Sequence, residues 1–178
     1  MSLGELAAFV CSHLKKHGIH AVLSGGACVS IYTENKYQSY DLDFIENVST
    51  KRKTLRTVLE KIGFSEKNRY FIHPDTEFYI EFPPGPLSIG DEPVKDIETR
   101  EFSTGELQLI SPTDCVKDRL AAYYHWNDKQ SLEQAVLIAK NHLIDLNEIH
   151  RWSRHEDKEA EYERIKERFI EAQLKQSS

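Results

Sequence analysis

Residues 23–45 read LSGGACVSIYTENKYQSYDLDFI, and this stretch decides the fold. The apolar residues 19–23 before it predict a short strand, which stops at Ser24-Gly25-Gly26 because glycines favour a turn. A helix is predicted directly afterwards, from about residue 27 to 34. A strand that passes through two glycines into a helix is typical of an α/β unit.

The second strand of this stretch carries two acids. Residues 40–45 alternate, so Asp41 and Asp43 share one face of the strand, at a Cα separation of about 7 Å. Two carboxylates that converge in this way repel each other unless a cation neutralises them. Mg²⁺ fits such a pair, since it takes one or two carboxylates together with phosphate oxygens and water. A solvent-facing pair of acids on an edge strand is the alternative interpretation.

The glycines before the helix add a second element to this pattern. Without side chains, Gly25 and Gly26 allow a phosphate to approach the backbone, and the free N–H groups of the helix start point towards it. A plain strand-to-helix turn also favours glycine and remains the alternative. Together with the Asp-x-Asp strand, however, Ser24, Gly25 and Gly26 predict a site for the triphosphate of a nucleotide beside a metal.

The rest of the chain divides into two regions. Further helices are predicted at 2–17 and 51–62, and further strands at 69–72, 76–82, 97–103 and 106–110. From Ser111 onward the pattern is helical to the end, since Ser111-Pro112 is a strong helix start. The prediction is an α+β fold, with a mixed sheet flanked by helices over residues 1–110 and a helical region packed on it over 111–178.

Composition excludes several classes of protein. Apolar residues make up 39% of the sequence, enough for a core, and the net charge of −6 argues against a surface built mainly for duplex nucleic acid. No apolar run is long enough to span a membrane, and the N-terminus lacks the pattern of a signal peptide, so a cytoplasmic protein without membrane contact is expected. Its three cysteines lie far apart, which predicts neither a zinc site nor a disulfide framework.

The span 23–45 resembles the signature of the polymerase-β-like nucleotidyltransferase superfamily. It is most similar to the branch that holds AbiEii-type toxins of toxin–antitoxin systems and related uncharacterised bacterial proteins. The matching positions are Gly25, Gly26, Ala27, Ser39, Asp41 and Asp43. The resemblance implies that Asp41 and Asp43 hold Mg²⁺ or Mn²⁺, and that Ser24, the two glycines and Ser39 bind the nucleotide. Tyr37 stands where the family usually has arginine.

The family also has a third carboxylate on a later strand, in a hydrophobic-Asp-hydrophobic context. Tyr79-Ile80-Glu81-Phe82 is the matching place, so Glu81 is the candidate. It would be a general base for the acceptor hydroxyl or a ligand of a second metal ion. Glu77, on the same strand face, is the alternative.

The helical region shares two further patterns with the family. Residues 110–114 (ISPTD) and 119–122 (RLAA) resemble Leu-Ser-Pro-x-Asp and Lys-Leu-Ala-Ala. The resemblance implies that Arg119 replaces the family's lysine and, with Lys129, contacts phosphate or base. The family often has Lys-Asp-x-x-Asp at this second lysine, whereas this chain retains only Lys129, with Gln130 and Glu133 in place of the two aspartates.

From these residues an enzyme is expected, which transfers a nucleoside monophosphate from Mg-NTP to a hydroxyl of an unidentified acceptor. The acceptor could be RNA, protein or a small molecule, and the branch resemblance implies a toxin–antitoxin component with a cognate antitoxin or operon partner. The alternative is a catalytically degenerate module that keeps the fold and binds or regulates. A nucleic-acid-binding regulator without nucleotide chemistry is a third possibility, which the negative charge disfavours.

Overall fold

The computed structural model describes residues 1–177 and contains seven helices and nine strands within them. The helices are α1 (Leu3–Lys16), α2 (Gly25–Tyr32), α3 (Arg52–Glu60), α4 (Pro112–Trp126), α5 (Lys129–Asn141), α6 (Leu146–His155) and α7 (Glu159–Gln176). The strands are β1 (Ala21–Ser24), β2 (Asp41–Glu46), β3 (Ser65–Lys67), β4 (Tyr70–Ile72), β5 (Tyr79–Glu81), β6 (Ser88–Ile89), β7 (Glu92–Pro93), β8 (Ile97–Phe102) and β9 (Gly105–Ile110). The predicted α+β class is confirmed.

A seven-stranded mixed sheet lies at the centre, in the order β3-β4-β5-β2-β1-β9-β8. Two neighbouring pairs are parallel, β1 with β9 and β2 with β5, while the other neighbours are antiparallel. Strands β6 and β7 form a separate small hairpin. The parallel pairing of β2 with β5 is what brings two distant parts of the sequence to the same place.

Alternation along β2 divides its side chains between the core and the opposite face. Leu42 and Phe44 are fully buried, and so is Ile80 on the neighbouring strand β5. Phe44 stacks on Phe82, with ring centroids 6.2 Å apart. Because truncating a buried Phe costs about 3–5 kcal/mol, this packing fixes which face of β2 points inward. The two aspartates of β2 therefore point to the other face.

The helical region shares one core with the sheet. Its largest fully buried side chain is Trp152 of α6, and the buried residues of both regions form a single hydrophobic cluster. Helix α4 starts as predicted, since the Ser111 hydroxyl accepts a hydrogen bond from the Asp114 N–H over 3.1 Å, with Pro112 at the first helical position. This start sets the direction of α4 from the end of β9.

Several element boundaries differ from the sequence prediction. Helix α2 begins at Gly25 and not at residue 27, because β1 passes into the helix without an intervening loop. No element was predicted over residues 65–67, yet β3 lies there and pairs with β4 to make a hairpin turned at Asn68, whose φ is +56°. No strand was predicted between residues 82 and 97, where Pro83 to Pro86 indicate a loop, yet this stretch contains the β6–β7 hairpin.

Three contacts attach the β6–β7 hairpin to α6. The Trp152 indole donates to the Ile89 carbonyl at 3.2 Å, and the Arg151 guanidinium pairs with Glu92 at 2.6 Å. At the hairpin turn, the Asp91 N–H donates to Glu156 Oε1 at 3.0 Å. These contacts fix the hairpin, and with it the proline-rich segment that leads into it, against the helical region.

None of the helices in the part of the chain that the structure describes has the length and apolarity needed to cross a membrane.

Gly90, at the hairpin turn, provides a test of this attachment. It has a φ of +60°, and a Cβ placed on it would lie 2.1 Å from Glu156 Oε1. Gly90→Ala should therefore lower the free energy of unfolding by about 2–4 kcal/mol, through left-handed backbone strain and displacement of Glu156. Chemical denaturation at constant m-value measures the change.

Gly18→Ala is the matched control, because Gly18 also has a positive φ, +75°, but nothing lies within 4 Å of its added Cβ. It should lose only the backbone part, about 1–2 kcal/mol. Equal losses in the two variants would show that the contact of Glu156 with the hairpin turn adds nothing to stability.

Candidate active site

Three carboxylates lie side by side on one face of the sheet. Asp43 of β2 pairs in parallel register with Glu81 of β5, and Asp41 pairs with Tyr79 in the same ladder. Side chains that are partners in a ladder project to the same face. Glu77 is exposed and lies before β5 begins, outside this ladder. The strand register thus brings Glu81, and not Glu77, beside the two aspartates.

The clustering of these acids changes the ionisation of Asp43. Burial raises its pKa from the usual 3.8 to about 7, with further contributions first from Asp41 and then from Glu81. The neighbouring Arg119 has the opposite effect. Without a cation, negative charge at Asp43 is therefore costly, which is the condition that a metal ion relieves.

Gly25 allows the helix start to approach Asp43. Its φ is +68°, and an added Cβ would lie only 2.6 Å from Asp43 Oδ2. A side chain at this position would need both a strained backbone and the space that the carboxylate occupies. The first glycine is thus required by the packing of α2 against the acidic strand.

The second glycine is linked to Asp41 through two buried serines. The Ser30 hydroxyl donates to the Gly26 carbonyl at 3.3 Å and accepts from the Ser39 N–H at 2.8 Å. The Ser39 hydroxyl in turn donates to the Asp41 carboxylate. Ser39 was predicted to bind the nucleotide. In the structure its hydroxyl orients the Asp41 carboxylate.

The N-terminus of α2 has N–H groups that no side chain caps. Ser24 occupies the N-cap position but makes no side-chain hydrogen bond to the helix, and its hydroxyl donates instead to the Asp43 carbonyl at 3.4 Å. Helix N-termini carry partial positive charge and bind anions. The residues expected to hold the triphosphate therefore lie directly beside the acidic strand.

Helix α4 supplies the basic side of the site. Arg119 pairs with Asp118 and donates to Gln134 Oε1 at 3.4 Å, with 19% of its side chain exposed. Sequence reasoning missed Asp118, which lies at the cavity and also raises the pKa of Asp43. Its only signal was the alternation Lys117-Asp118-Arg119, which is common on solvated helices.

A cavity of about 330 Å³ connects these parts. Its walls come from the β1–α2 junction (Ser24, Gly25), from Asp43 and Ile45 of β2, from the segment 83–89, and from Asp118 and Arg119 of α4. Of the predicted residues, Gly26, Ser39, Asp41 and Glu81 adjoin this cavity through their neighbours without lining it. Lys129 is exposed in the first turn of α5 and is not among the lining residues.

The donor set fits a metal that is shared with a substrate. Within residues 1–177, no group of three or more His, Cys, Asp or Glu side chains is arranged to hold a metal ion by itself. Mg²⁺ needs fewer protein ligands, because substrate phosphates and water complete its shell. Such a shared site requires oxygen donors, carboxylates that repel each other without a cation, and a place for an anion. The acids around Asp43 and the adjoining start of α2 provide these features.

Comparison with solved structures identifies the fold. An antigenic nucleotidyltransferase-like protein from Paracoccidioides brasiliensis matches with a TM-score of 0.60, at 14% identity, over 77% of this chain and 75% of its own. Antibiotic-resistance factor ANT(2'')-Ia matches with a TM-score of 0.47, at 11% identity, over 77% of this chain and 82% of its own. Its complex with adenylyl-2''-tobramycin gives 0.45, at 12% identity, over 73% and 83%.

The first of these likenesses shows that the chain has the fold of a nucleotidyltransferase-like protein, as the sequence resemblance implied. No protein-family description and no curated protein sequence matches it. Membership of the AbiEii-type branch, and the role of each site residue, stay predictions.

The raised pKa of Asp43 gives a prediction about stability. A carboxyl group whose pKa is raised by folding binds its proton more tightly in the folded state, so its stabilising effect is full below pH 3.8 and is lost as the pH rises through about 7. In Asp43→Asn the side chain cannot ionise, so this loss of stability at high pH does not occur. Since the side chain is partly solvated, we expect a gain of about 1–2 kcal/mol at pH 8 without metal, or about 2–8 °C in melting temperature.

Calorimetry at pH 5 and pH 8 in EDTA measures this gain, which should be smaller at pH 5. Addition of Mg²⁺ should raise the melting temperature of the wild type more than that of Asp43→Asn. If Asp43→Asn is less stable than the wild type at both pH values, ionised Asp43 does not destabilise the metal-free protein, and the prediction is wrong.

Proposed function

We propose that this protein is a metal-dependent nucleotidyltransferase, which transfers a nucleoside monophosphate from an NTP to a hydroxyl group. The observation that carries the proposal is the placement of Asp41, Asp43 and Glu81 on one sheet face beside the uncapped start of α2. A triphosphate needs cationic and N–H partners, and the acids need a cation between them and the phosphates. One ligand, Mg-NTP, satisfies both requirements.

The residues would divide the work as follows. The first-turn N–H groups of α2, with Gly25 and Gly26, would bind the terminal phosphates, and Arg119 of α4 would bind phosphate or base. Asp41 and Asp43 would hold Mg²⁺ or Mn²⁺, which supplies charge neutralisation on the phosphates and a template for in-line attack. Ser39 would keep Asp41 in the orientation that this requires.

Glu81 would act on the acceptor side. Attack on the α-phosphorus forms a bond from the acceptor oxygen and breaks the bond to pyrophosphate, while the acceptor oxygen loses its proton. Glu81 is the third acid in the row and would take that proton or ligate a second ion. Its place opposite Asp43 in the ladder supports this assignment over Glu77.

The acceptor belongs to one of three classes, RNA, protein or a small molecule that carries a hydroxyl. On the resemblance to AbiEii-type toxins we further propose a toxin–antitoxin role, with an antitoxin or operon partner that restrains the activity. Lys129, exposed at the start of α5 and outside the lining of the cavity, would contact phosphate or base, as the family resemblance implies.

A second candidate function is a nucleotide-binding module without turnover. Two observations favour it: Glu81 is engaged by Arg69 at 3.1 Å, and Tyr37 lies beside Gly26, 3.8 Å from its Cβ position, where the resemblance leads one to expect arginine. Nucleotide binding without transfer would support this function.

Metal dependence of nucleotide binding tests the proposal. Calorimetric titration with each of the four NTPs and Mg²⁺ should show binding to the wild type that EDTA abolishes. Asp41→Asn should weaken metal-dependent binding by at least about tenfold, since even indirect partners of metal ligands are worth about 10–100-fold. Asp75→Asn, in an exposed loop, is the control and should bind normally. An NTP affinity that is equal with and without Mg²⁺ would contradict the assignment of Asp41 and Asp43 as metal ligands.

The role of Glu81 separates enzyme from binding module. Glu81→Gln should retain Mg-NTP binding and lose about 10²–10⁴ in the rate of acceptor labelling by α-³²P-NTP in a cell extract, as expected for a missing general base. Glu77→Gln is the matched control and should label at the wild-type rate. Loss of labelling in Glu77→Gln alone would show that the strand register misidentifies the third acid.

A further inference from the structure

Arg69 is the residue of interest, at the edge of the acidic row. Its Nε atom lies 3.1 Å from Glu81 Oε1, although 70% of the Arg69 side chain is exposed and only 20% of Glu81. The proposed function gives Glu81 the acceptor proton or a second metal ion, beside the ion that Asp41 and Asp43 would hold. A basic side chain that binds this oxygen occupies coordination space that a metal ion would also use.

The position of Arg69 is fixed by its backbone. Arg69 follows Asn68 in the tight turn between β3 and β4, and its carbonyl accepts a hydrogen bond from Arg52 Nη2 at 2.7 Å. The Arg52 guanidinium also binds Glu66, through Nε at 2.6 Å. Helix α3 therefore anchors the backbone of the turn, while most of the Arg69 side chain is exposed to solvent.

In the same position the guanidinium also contacts an aromatic ring. The Arg69 Cζ atom is 4.9 Å from the centre of the Tyr70 ring, within the range of a cation–π contact. Tyr70 is also the ladder partner of Glu81. When Arg69 leaves Glu81, its guanidinium still has the Tyr70 ring and solvent as partners. Breaking the ion pair therefore costs little free energy.

We propose that Arg69 is an internal counter-ion that competes with the divalent metal for Glu81 and thereby lowers the metal affinity of the site. The inference rests on the proposed function, since it takes the acidic row to be the metal site. In the metal-free protein Arg69 neutralises Glu81, and metal loading breaks this ion pair while the contact of Arg69 with Tyr70 remains. Arg69 is a positioning residue, because it acts through Glu81.

Mn²⁺ binding, followed by the loss of the free-ion electron paramagnetic resonance signal, tests the proposal without any measurement of activity. Arg69→Gln removes the competing charge, so Mn²⁺ should bind about 2- to 5-fold more tightly than to the wild type, the range that a partly exposed ion pair provides. Arg69→Lys keeps the charge and should stay close to the wild type. An increase in Mn²⁺ affinity is informative, because a substitution that damaged the structure would make Mn²⁺ bind more weakly.

Arg56→Gln is the matched control. Arg56 is an exposed arginine of α3 that pairs with Glu66, and Arg52 continues to neutralise Glu66 in its absence. This variant changes net charge by the same amount as Arg69→Gln and should leave Mn²⁺ affinity within about 1.5-fold of the wild type. An equal gain in Mn²⁺ affinity in Arg56→Gln and Arg69→Gln would show that the effect comes from net charge alone. That result would overturn the proposal.

The remaining outcomes separate this inference from the proposed function. Unchanged or weaker Mn²⁺ binding in a folded Arg69→Gln, with normal binding by the wild type, overturns the role of Arg69 and leaves the metal site standing. If neither wild type nor variants bind Mn²⁺, even with an NTP present, the metal site and the inference fail together.

Discussion

Repulsion among the carboxylates of Asp41, Asp43 and Glu81 is the constraint around which this structure is arranged. The hydrophobic alternation of β2 and β5 forces the three acids onto one face, since their neighbours Leu42 and Ile80 are fully buried. The cost is visible in the raised pKa of Asp43. A fold that keeps such a cluster needs positive charge close to it, and the surroundings of the acids supply that charge.

Each offsetting group comes from a different element. Helix α2 presents its uncapped N-terminus, α4 presents Arg119, and the β3–β4 turn presents Arg69. Gly25 is the geometric condition for the first of these, because only a residue without Cβ fits against the Asp43 carboxylate. The site is therefore an electrostatic balance among separate elements, and a substitution in any one of them shifts the ionisation of the others.

How much of this site the sequence could predict depends on the range of the interactions. The alternation in residues 40–45 is local, so the shared face of the two aspartates followed from it directly. The choice between Glu81 and Glu77 depended on the register of β5 against β2, which a single sequence does not contain. The β6–β7 hairpin was missed because its strands have two residues each and follow a proline-rich segment that predicts a loop. Asp118 and Arg69 were missed because charged residues of this kind are common on solvated surfaces, and only tertiary contacts distinguish them.

The parallel pairing of β2 with β5 also makes the acidic row depend on the chain between these strands. Parallel strands require a long crossover, and here it contains α3 and the β3–β4 hairpin. The pairing that buries Leu42 and Ile80 is the same one that sets Glu81 opposite Asp43. A slip of one residue in this register would turn Ile80 to the acidic face and Glu81 towards the core. The hydrophobic core therefore protects the spacing of the acids, because no such slip can change one without the other.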